Sequence, residues 1–301
     1  MSAHAVQLER EFADHRSFLW SLLYRLCGDA ADAEDLVQDT FVRALQHPPA
    51  RTGEPWRPWL VRVAVNLGRD LLRRRRRRRY EGPWLPAPVE EAAPPAAGPE
   101  ARYDMAESIS MAFLVALEAL APTPRAVLLL RDVFDYSVRE TAEVLGLSEA
   151  NVKTTHLRAR RRMAGYDARR VRPSPALQEA TRQALARFLA ALESGDTAQA
   201  EALLAEDVSA AADGGGEYAA AREIMRGRTR VATLYVNLNR RLTVARTGLR
   251  TLNALPAVVA EFTDPPRGWA PRAVMQCELD ERGLIRRIYT VSASRKLAGV
   301  R

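Results

Sequence analysis

Cysteine, lysine and long apolar runs are all scarce in this chain of 301 residues. Its two cysteines, Cys27 and Cys277, match no metal-binding spacing, so we expect no metal site and no disulfide framework. The best apolar stretch, residues 111–120, is interrupted by Glu118 and is too short to span a membrane. No basic segment followed by an apolar one opens the chain, so we expect no signal peptide, no membrane contact and a cytoplasmic protein.

Positive charge is abundant and is carried almost entirely by arginine, since Lys153 and Lys296 are the only lysines. The formal net charge is +8 and the isoelectric point is about 10.0, which favours an anionic partner. Charge is concentrated in an unbroken arginine run at residues 73–79 and in a second basic cluster at residues 153–172. Because each half of the chain has a similar net charge, these clusters indicate the partner surfaces better than net charge does.

Composition divides the chain into four parts. Residues 8–79 and 110–168 have helical periodicity, whereas residues 80–109 begin with repeated prolines and alanines that predict a linker. Residues 174–295 begin with two helical segments and continue with strand-like runs. The predicted fold is therefore two all-α domains followed by an α+β domain.

Two helices of the first domain present distinctive polar faces. Asp32, Asp35 and Asp39 share one face of a helix whose apolar stripe is Leu36, Val37, Phe41, Ala44 and Leu45. The next helix runs from Trp59 into the arginine run, and its polar side chains can contact phosphates, base edges and unpaired bases. These candidates are Trp59, Arg62, Asn66, Arg69, Arg73 and Arg74.

The second domain has the pattern of a helix-turn-helix. Ser137 and Glu140 predict a capping box, Gly146 suits the turn between the helices, and Ser148 predicts the cap of the second helix. That second helix has the size of a recognition helix in the major groove. Its candidate DNA contacts are Asn151, Lys153, Thr154, Thr155, His156, Arg158 and Arg160.

Together these strings resemble extracytoplasmic function (ECF) sigma factors of the sigma-70 family. Residues 32–44 are similar to the family's polymerase-binding segment, and residues 59–78 to its −10 helix, with Trp59-Leu60, Arg62, Asn66, Asp70 and Arg74 in the family pattern. The resemblance implies core RNA polymerase (its β′ clamp helices) and promoter DNA as partners. It implies core binding by Asp35, Gln38, Asp39 and Arg43, −10 contacts by the second helix, and −35 contacts by the helix-turn-helix.

The C-terminal segment is longer than a short sigma factor needs. We predict helices at 176–193, 197–205 and about 220–226, and strands at 240–245, 249–254, 257–262, 273–279 and 284–291. The layout resembles a SnoaL-like α+β cone, which one ECF subgroup carries. Trp84-Leu85-Pro86 and Asp213-Gly214-Gly215-Gly216 resemble two motifs of that subgroup and are predicted regulatory contacts. Residues 292–297 depart from the subgroup's Asn-Pro-Asp-Lys-Leu-type motif.

The sequence therefore predicts a sigma factor that is not an enzyme and uses no cofactor, with the C-terminal domain modulating its activity. A separate anti-sigma protein or a small ligand of that domain is a further expected partner. Two alternatives stay open at this point. One is a helix-turn-helix regulator that never joins polymerase. The other is a fused SnoaL-like enzyme with Asp207 or Asp213 as its acid, although all four histidines precede that domain.

Overall fold

A computed structural model describes residues 7–47, 55–77, 80–90 and 101–300 in full, and residues 3–6 by their backbone alone. The chain forms two compact units. Among the described residues, the first comprises 3–47, 55–77, 101–109 and 113–170, and the second comprises 80–90, 110–112 and 171–300. The proline-rich linker beyond residue 90 and the end of the arginine run lie partly outside the described residues.

Three long helices form the N-terminal part of the first unit: α1 (Ala3–Cys27), α2 (Ala30–Gln46) and α3 (Trp56–Arg77). Asp29 caps α2 because its side chain accepts a hydrogen bond from the Asp32 N–H at 3.0 Å. Gly68 lets α3 approach α1 closely, since a Cβ there would lie 2.6 Å from Leu26 Cδ2. This packing fixes which faces of α2 and α3 remain exposed.

The helices that follow in the chain are shorter. They are α4 (Met105–Ile109), α5 (Met111–Leu117), α6 (Pro122–Asp132), α7 (Val138–Leu145) and α8 (Glu149–Asp167). The predicted helix-turn-helix is α7 and α8. Both halves of the Ser137–Glu140 capping box are present, Gly146 adopts a φ of 64°, and Ser148 caps α8. The local sequence signals for this motif are therefore confirmed.

The second unit packs helices on one face of a mixed sheet. Its elements are α9 (Pro175–Ser194), α10 (Thr197–Ala202), β1 (Leu204–Asp213), β2 (Met225–Arg226), α11 (Arg228–Arg241), β3 (Thr243–Leu252), β4 (Leu255–Thr263), β5 (Arg272–Leu279), β6 (Ile285–Val291) and α12 (Ser294–Leu297). The strand order is β2-β1-β6-β5-β4-β3, with only β1 and β6 parallel among these strands. Phe188, Tyr235, Val258 and Ile288 belong to the core that fills the space between helices and sheet.

Three local predictions for this unit are wrong. Residues 220–226 form irregular chain and β2 instead of a helix, and the predicted strand at 240–245 begins inside α11. The predicted helix at 197–205 ends at Ala202, and the alanine-rich segment after it is β1, which sequence reasoning missed. Pairing with β2 and β6 on both sides overrides the low strand propensity of alanine there.

No described helix is long and apolar enough to cross a membrane.

Candidate functional site

The exposed face of α2 combines carboxylates with uncovered apolar side chains. Asp35, Gln38, Asp39 and Arg43 are all exposed, and no described basic side chain pairs with either aspartate. Val42, on the same face, is 50% exposed. Leu45, which the sequence places in the apolar stripe, is instead 55% exposed, while Leu36, Val37, Phe41 and Ala44 are buried as expected. An acidic face with uncovered apolar groups suits a basic, partly apolar partner surface.

The polar side chains of α3 divide into exposed and engaged groups. Arg62, Arg73 and Arg74 are exposed, and Arg73 pairs with Asp70 at 2.7 Å. Trp59 is half-buried and meets the buried Trp56 edge to face, with ring centroids 6.4 Å apart. The exposed arginines are available to phosphates in this arrangement.

Arg69, also predicted to contact DNA, is only 9% exposed. Its guanidinium donates to Asn66 Oδ1 at 3.1 Å and to Thr123 Oγ1, at the start of α6, at 2.9 Å. Burial lowers the pKa of Arg69 below its usual value, and repulsion from Arg73 adds to the effect. Asn66 and Arg69 are thus brought together, but both are engaged inside the first unit.

An arginine of the run, Arg75, is also held by acceptors within the protein. Arg75 donates to the Cys27 carbonyl at 2.7 Å and to Glu118 Oε1 at 3.1 Å. The same carboxylate accepts from Arg125, which is 2% exposed, at 2.7 Å. Glu118, which the sequence analysis noted only as a break in an apolar run, therefore links α3 to the start of α6.

The predicted base-reading helix α8 presents two kinds of side chain. Asn151, Lys153, Thr154 and Arg158 are exposed, and Thr155 is half-buried. His156 and Arg160 instead face the buried Asp132 of α6, at 2.9 Å and 2.5 Å. Burial alone would raise the pKa of Asp132, but the close contact with His156 and the hydrogen bonds from Arg160 outweigh it and hold this pKa below its usual value.

In the second unit, Asp213 at the end of β1 anchors linker residues 80–90. The side chain is 1% exposed and accepts from the Leu85 N–H at 2.7 Å, from Tyr80 Oη at 2.5 Å and from Lys296 Nζ at 2.7 Å. Lys296 also donates to the Leu85 carbonyl at 2.5 Å and lies 4.1 Å from the centre of the Trp84 ring. We call these five residues the linker anchor.

The glycines after Asp213 serve the same anchor. A Cβ on Gly214 would lie 2.3 Å from the Tyr218 carbonyl oxygen, and one on Gly215 would lie 2.7 Å from Ala293 Cβ. Gly215 also adopts a φ of 67° and donates its N–H to Asp213 at 2.9 Å. Gly216 also has a positive φ, of 75°. The motif is thus a tight turn that orients the carboxylate.

Lys296 was missed as a functional residue by sequence reasoning. It lies in the segment that departs from the subgroup motif, yet Lys296-Leu297 matches the last two positions of that motif. The scarcity of lysine elsewhere was a second signal. The departure therefore leaves the lysine of the motif in place.

Neither candidate acid of the alternative enzyme lies in a pocket of the helix-covered face. Asp207 is exposed and pairs with Arg286 at 3.1 Å. Ala210 belongs to the core, so strand alternation places Asp213 on the opposite face of the sheet, beside the linker. Apolar side chains fill the space between the helices and this face of the sheet.

Family models match both helical parts of the chain: Sigma-70 region 2 at residues 12–78 and Sigma-70 region 4 at residues 110–163. ECF RNA polymerase sigma factor SigJ of Mycobacterium tuberculosis is 35% identical over 271 residues, covering 87% of this chain and 85% of the relative. SigG of the same species is 35% identical over 222 residues, covering 65% of this chain and 56% of the relative. The crystal structure of SigJ aligns with a TM-score of 0.71 at 27% identity, covering 96% of this chain and 98% of that chain.

Regions 2 and 4 in this order define a sigma factor. The similarity along most of its length shows that the chain belongs to the ECF RNA polymerase sigma factors. It therefore acts in transcription initiation, and the resemblance stated from the sequence is confirmed. The predicted fold, two helical sigma regions followed by a SnoaL-like α+β domain, is confirmed as well. The regulator without polymerase does not account for region 2.

Proposed function

We propose that the exposed face of α2 binds the β′ clamp helices of core RNA polymerase. The observation that carries this proposal is that Asp35 and Asp39 lack described basic partners while Val42 and Leu45 beside them are uncovered. Complementary charge would orient the encounter, and the apolar side chains would contribute most of the affinity. Gln38 and Arg43 lie at the same surface and would set its specificity.

We propose that α3 contacts and opens the −10 element while α8 reads the −35 element. Arg62, Arg73 and Arg74 would hold phosphates, and Trp59 would stack on an unpaired base. Asn66 and Arg69 would join them after exchanging their present contacts for DNA. On α8, Asn151, Lys153, Thr154, Thr155 and Arg158 are the contacts that need no such exchange, and His156 and Arg160 would follow once they leave Asp132.

We infer that the SnoaL-like domain regulates initiation through the linker anchor rather than by catalysis. The linker joins the two promoter-reading regions, so a domain that holds residues 80–90 limits how those regions can be placed. Four donors converge on the Asp213 carboxylate, three of them from the linker and Lys296 and one from Gly215, and Lys296 holds the backbone of the linker as well. The relatives are sigma factors, which favours this role over an enzymatic one. Binding to polymerase and to the chromosome implies action in the cytoplasm.

Run-off transcription with sigma-free core polymerase tests these proposals together. Full-length protein should give promoter-specific transcripts from genomic fragments. Lys296→Met in the full-length chain, and truncation after Tyr166, should both change the amount of transcript. Transcripts equal in all three proteins would remove the regulatory role of the anchor. Duplex binding without association with core would remove the proposed role of α2.

A further inference from the structure

A cavity of about 600 Å³ lies within the first unit, beside the surfaces described above. Its basic lining comes from two elements, with Arg76 on α3 and Arg158, Arg161 and Arg162 on α8. Its apolar lining includes Leu120, between α5 and α6, and Pro124, in the first turn of α6. We call this the Arg76 cavity.

The four arginines have no counterion within the part of the chain that is described. Arg76 donates only to the Leu120 carbonyl, and no carboxylate lines the cavity or pairs with Arg158, Arg161 or Arg162. Their neighbours on the same helices behave differently, since Arg75 is paired with Glu118 and Arg160 with Asp132. Carboxylates are thus present in this unit but do not reach the cavity. All four side chains are exposed, so an anion that entered the cavity would meet several positive charges that no described carboxylate neutralises.

Guanidinium groups bind phosphate through paired, charge-assisted hydrogen bonds, so several arginines facing one space favour a ligand with several phosphate groups. The volume falls in the range of small-molecule sites, roughly 300–1,000 Å³. The leucine and proline give an apolar surface against which a base or a sugar can pack. We propose that the Arg76 cavity binds a small polyphosphate of nucleotide size.

Such a ligand would act on both promoter-reading helices at once. It would bridge Arg76 of α3 to the arginines of α8 and so hold these helices in the described arrangement. It would also occupy guanidinium groups that promoter phosphates need. This consequence rests on the proposed function, whereas binding of the polyphosphate itself does not.

The test measures binding of inorganic tripolyphosphate and of ATP to the full-length protein by calorimetry, at constant ionic strength. The double variant Arg76→Ala/Arg161→Ala removes charge from both sides of the cavity. The matched control Arg77→Ala/Arg169→Ala removes the same charge from two exposed arginines that do not line it. The dissociation constant should rise at least roughly tenfold in the cavity variant, which corresponds to losing about 1.4 kcal/mol, and less than about twofold in the control.

Two results would overturn the proposal. One is the absence of saturable binding of either compound to the wild-type protein. The other is equal weakening in both double variants, which would mean attraction by net charge alone. Far-UV circular dichroism establishes folding. If the alanine variant does not fold, Arg76→Lys/Arg161→Lys replaces it, because lysine keeps the charge but loses the paired geometry of the guanidinium group. This variant should still bind more weakly than its control, Arg77→Lys/Arg169→Lys.

A duplex promoter fragment separates the two sources of phosphate. If the wild-type protein binds the duplex but neither small compound, and the cavity variant weakens only the duplex, the arginines are backbone contacts and the proposal fails. If tripolyphosphate binds and competes with the duplex in the wild type but not in the cavity variant, the proposal is supported. If tripolyphosphate does not bind, run-off transcription can still succeed. Failure of the cavity proposal can therefore be told apart from failure of the proposed function.

Discussion

The two interaction helices of region 2 differ in how ready they are for a partner. On α2, the carboxylates and the uncovered Val42 and Leu45 form a face that a partner can cover without any rearrangement. On α3, Arg69 and Arg75 are held by Thr123 and Glu118 of the following helical region. The difference teaches that the proposed polymerase-binding surface and the proposed DNA-binding surface of one domain can have different requirements. The first can be covered by a partner as it is, whereas the second must also exchange the protein acceptors of its arginines for DNA.

This difference suggests an order of events. Docking of α2 leaves the contacts of α3 intact, so it can come first. DNA phosphates would then replace the protein acceptors of Arg69 and Arg75, because charge-assisted hydrogen bonds to phosphate are of comparable strength. The predictions that follow test the open side of the comparison first and then the engaged side.

Charge reversal on α2 should have the largest effect. Asp35→Arg/Asp39→Arg places like charge against a basic partner surface, and we expect affinity for core polymerase to fall roughly two-hundredfold or more, about 3 kcal/mol. Stability should change by less than about 0.5 kcal/mol because both side chains are exposed. Biolayer interferometry with immobilised core measures the affinity. Asp14→Arg, on the exposed surface of α1, is the matched control. Unchanged affinity in the α2 variant would place the docking surface elsewhere.

Removal of the carboxylate that holds α3 should have the next largest effect. Glu118→Gln removes the carboxylate that pairs with Arg75 and with Arg125, which is 2% exposed. We expect the free energy of unfolding to fall by about 2–3 kcal/mol in urea denaturation, since a buried cation then lacks its counterion. Glu143→Gln breaks an exposed pair with Arg139 and should cost less than about 0.5 kcal/mol. Equal costs would mean that Glu118 contributes no more than a surface ion pair.

The linker anchor can be broken at its lysine. Lys296→Met keeps most of the side-chain volume but leaves the buried Asp213 without its cation, which should cost about 2 kcal/mol. Because Lys296 Nζ lies 4.1 Å from the Trp84 ring, tryptophan fluorescence should also change as the linker loosens. Lys153→Met, at the other lysine and on an exposed site, is the control for both measurements. An unaltered spectrum with unaltered stability would mean that the backbone contacts alone hold the linker.

Features that depend on residues a few positions apart were predicted from the sequence, and features that depend on distant contacts were not. The capping box at Ser137 and the turn at Gly146 depend on residues a few positions apart, and both are confirmed. Strand β1 was missed because its alanines favour helix locally, whereas its state is decided by pairing with β6 at the other end of the domain. No element was predicted for most of α11, whose β-branched residues have a low helix propensity. Short-range signals were legible, and long-range ones were not.

The same limit applies to the candidate sites. Residue type and helical spacing place Arg69 beside Asn66, but its burial depends on Thr123, 54 positions away. Lys296 reaches Asp213 across 83 positions, and no periodicity predicts that contact. His156 and Arg160 lie on the same helix as the exposed Lys153, yet both contact the buried Asp132. Which side chains are available to DNA is therefore a tertiary property.

The smallest expected effect is on the free energy of unfolding in acid. It tests the contacts that hold His156 and Arg160 of α8 against Asp132. Since the pKa of Asp132 is lowered in the folded chain, its contribution to stability is fully present above the unfolded pKa of about 3.9 and is lost as pH falls through the folded pKa. Urea denaturation at a series of pH values should therefore show a steeper loss of stability below about pH 4 in the wild type than in Asp132→Asn. Parallel slopes in wild type and Asp132→Asn would mean that His156 and Arg160 do not hold an ionised Asp132, and that they are as available to DNA as their exposed neighbours.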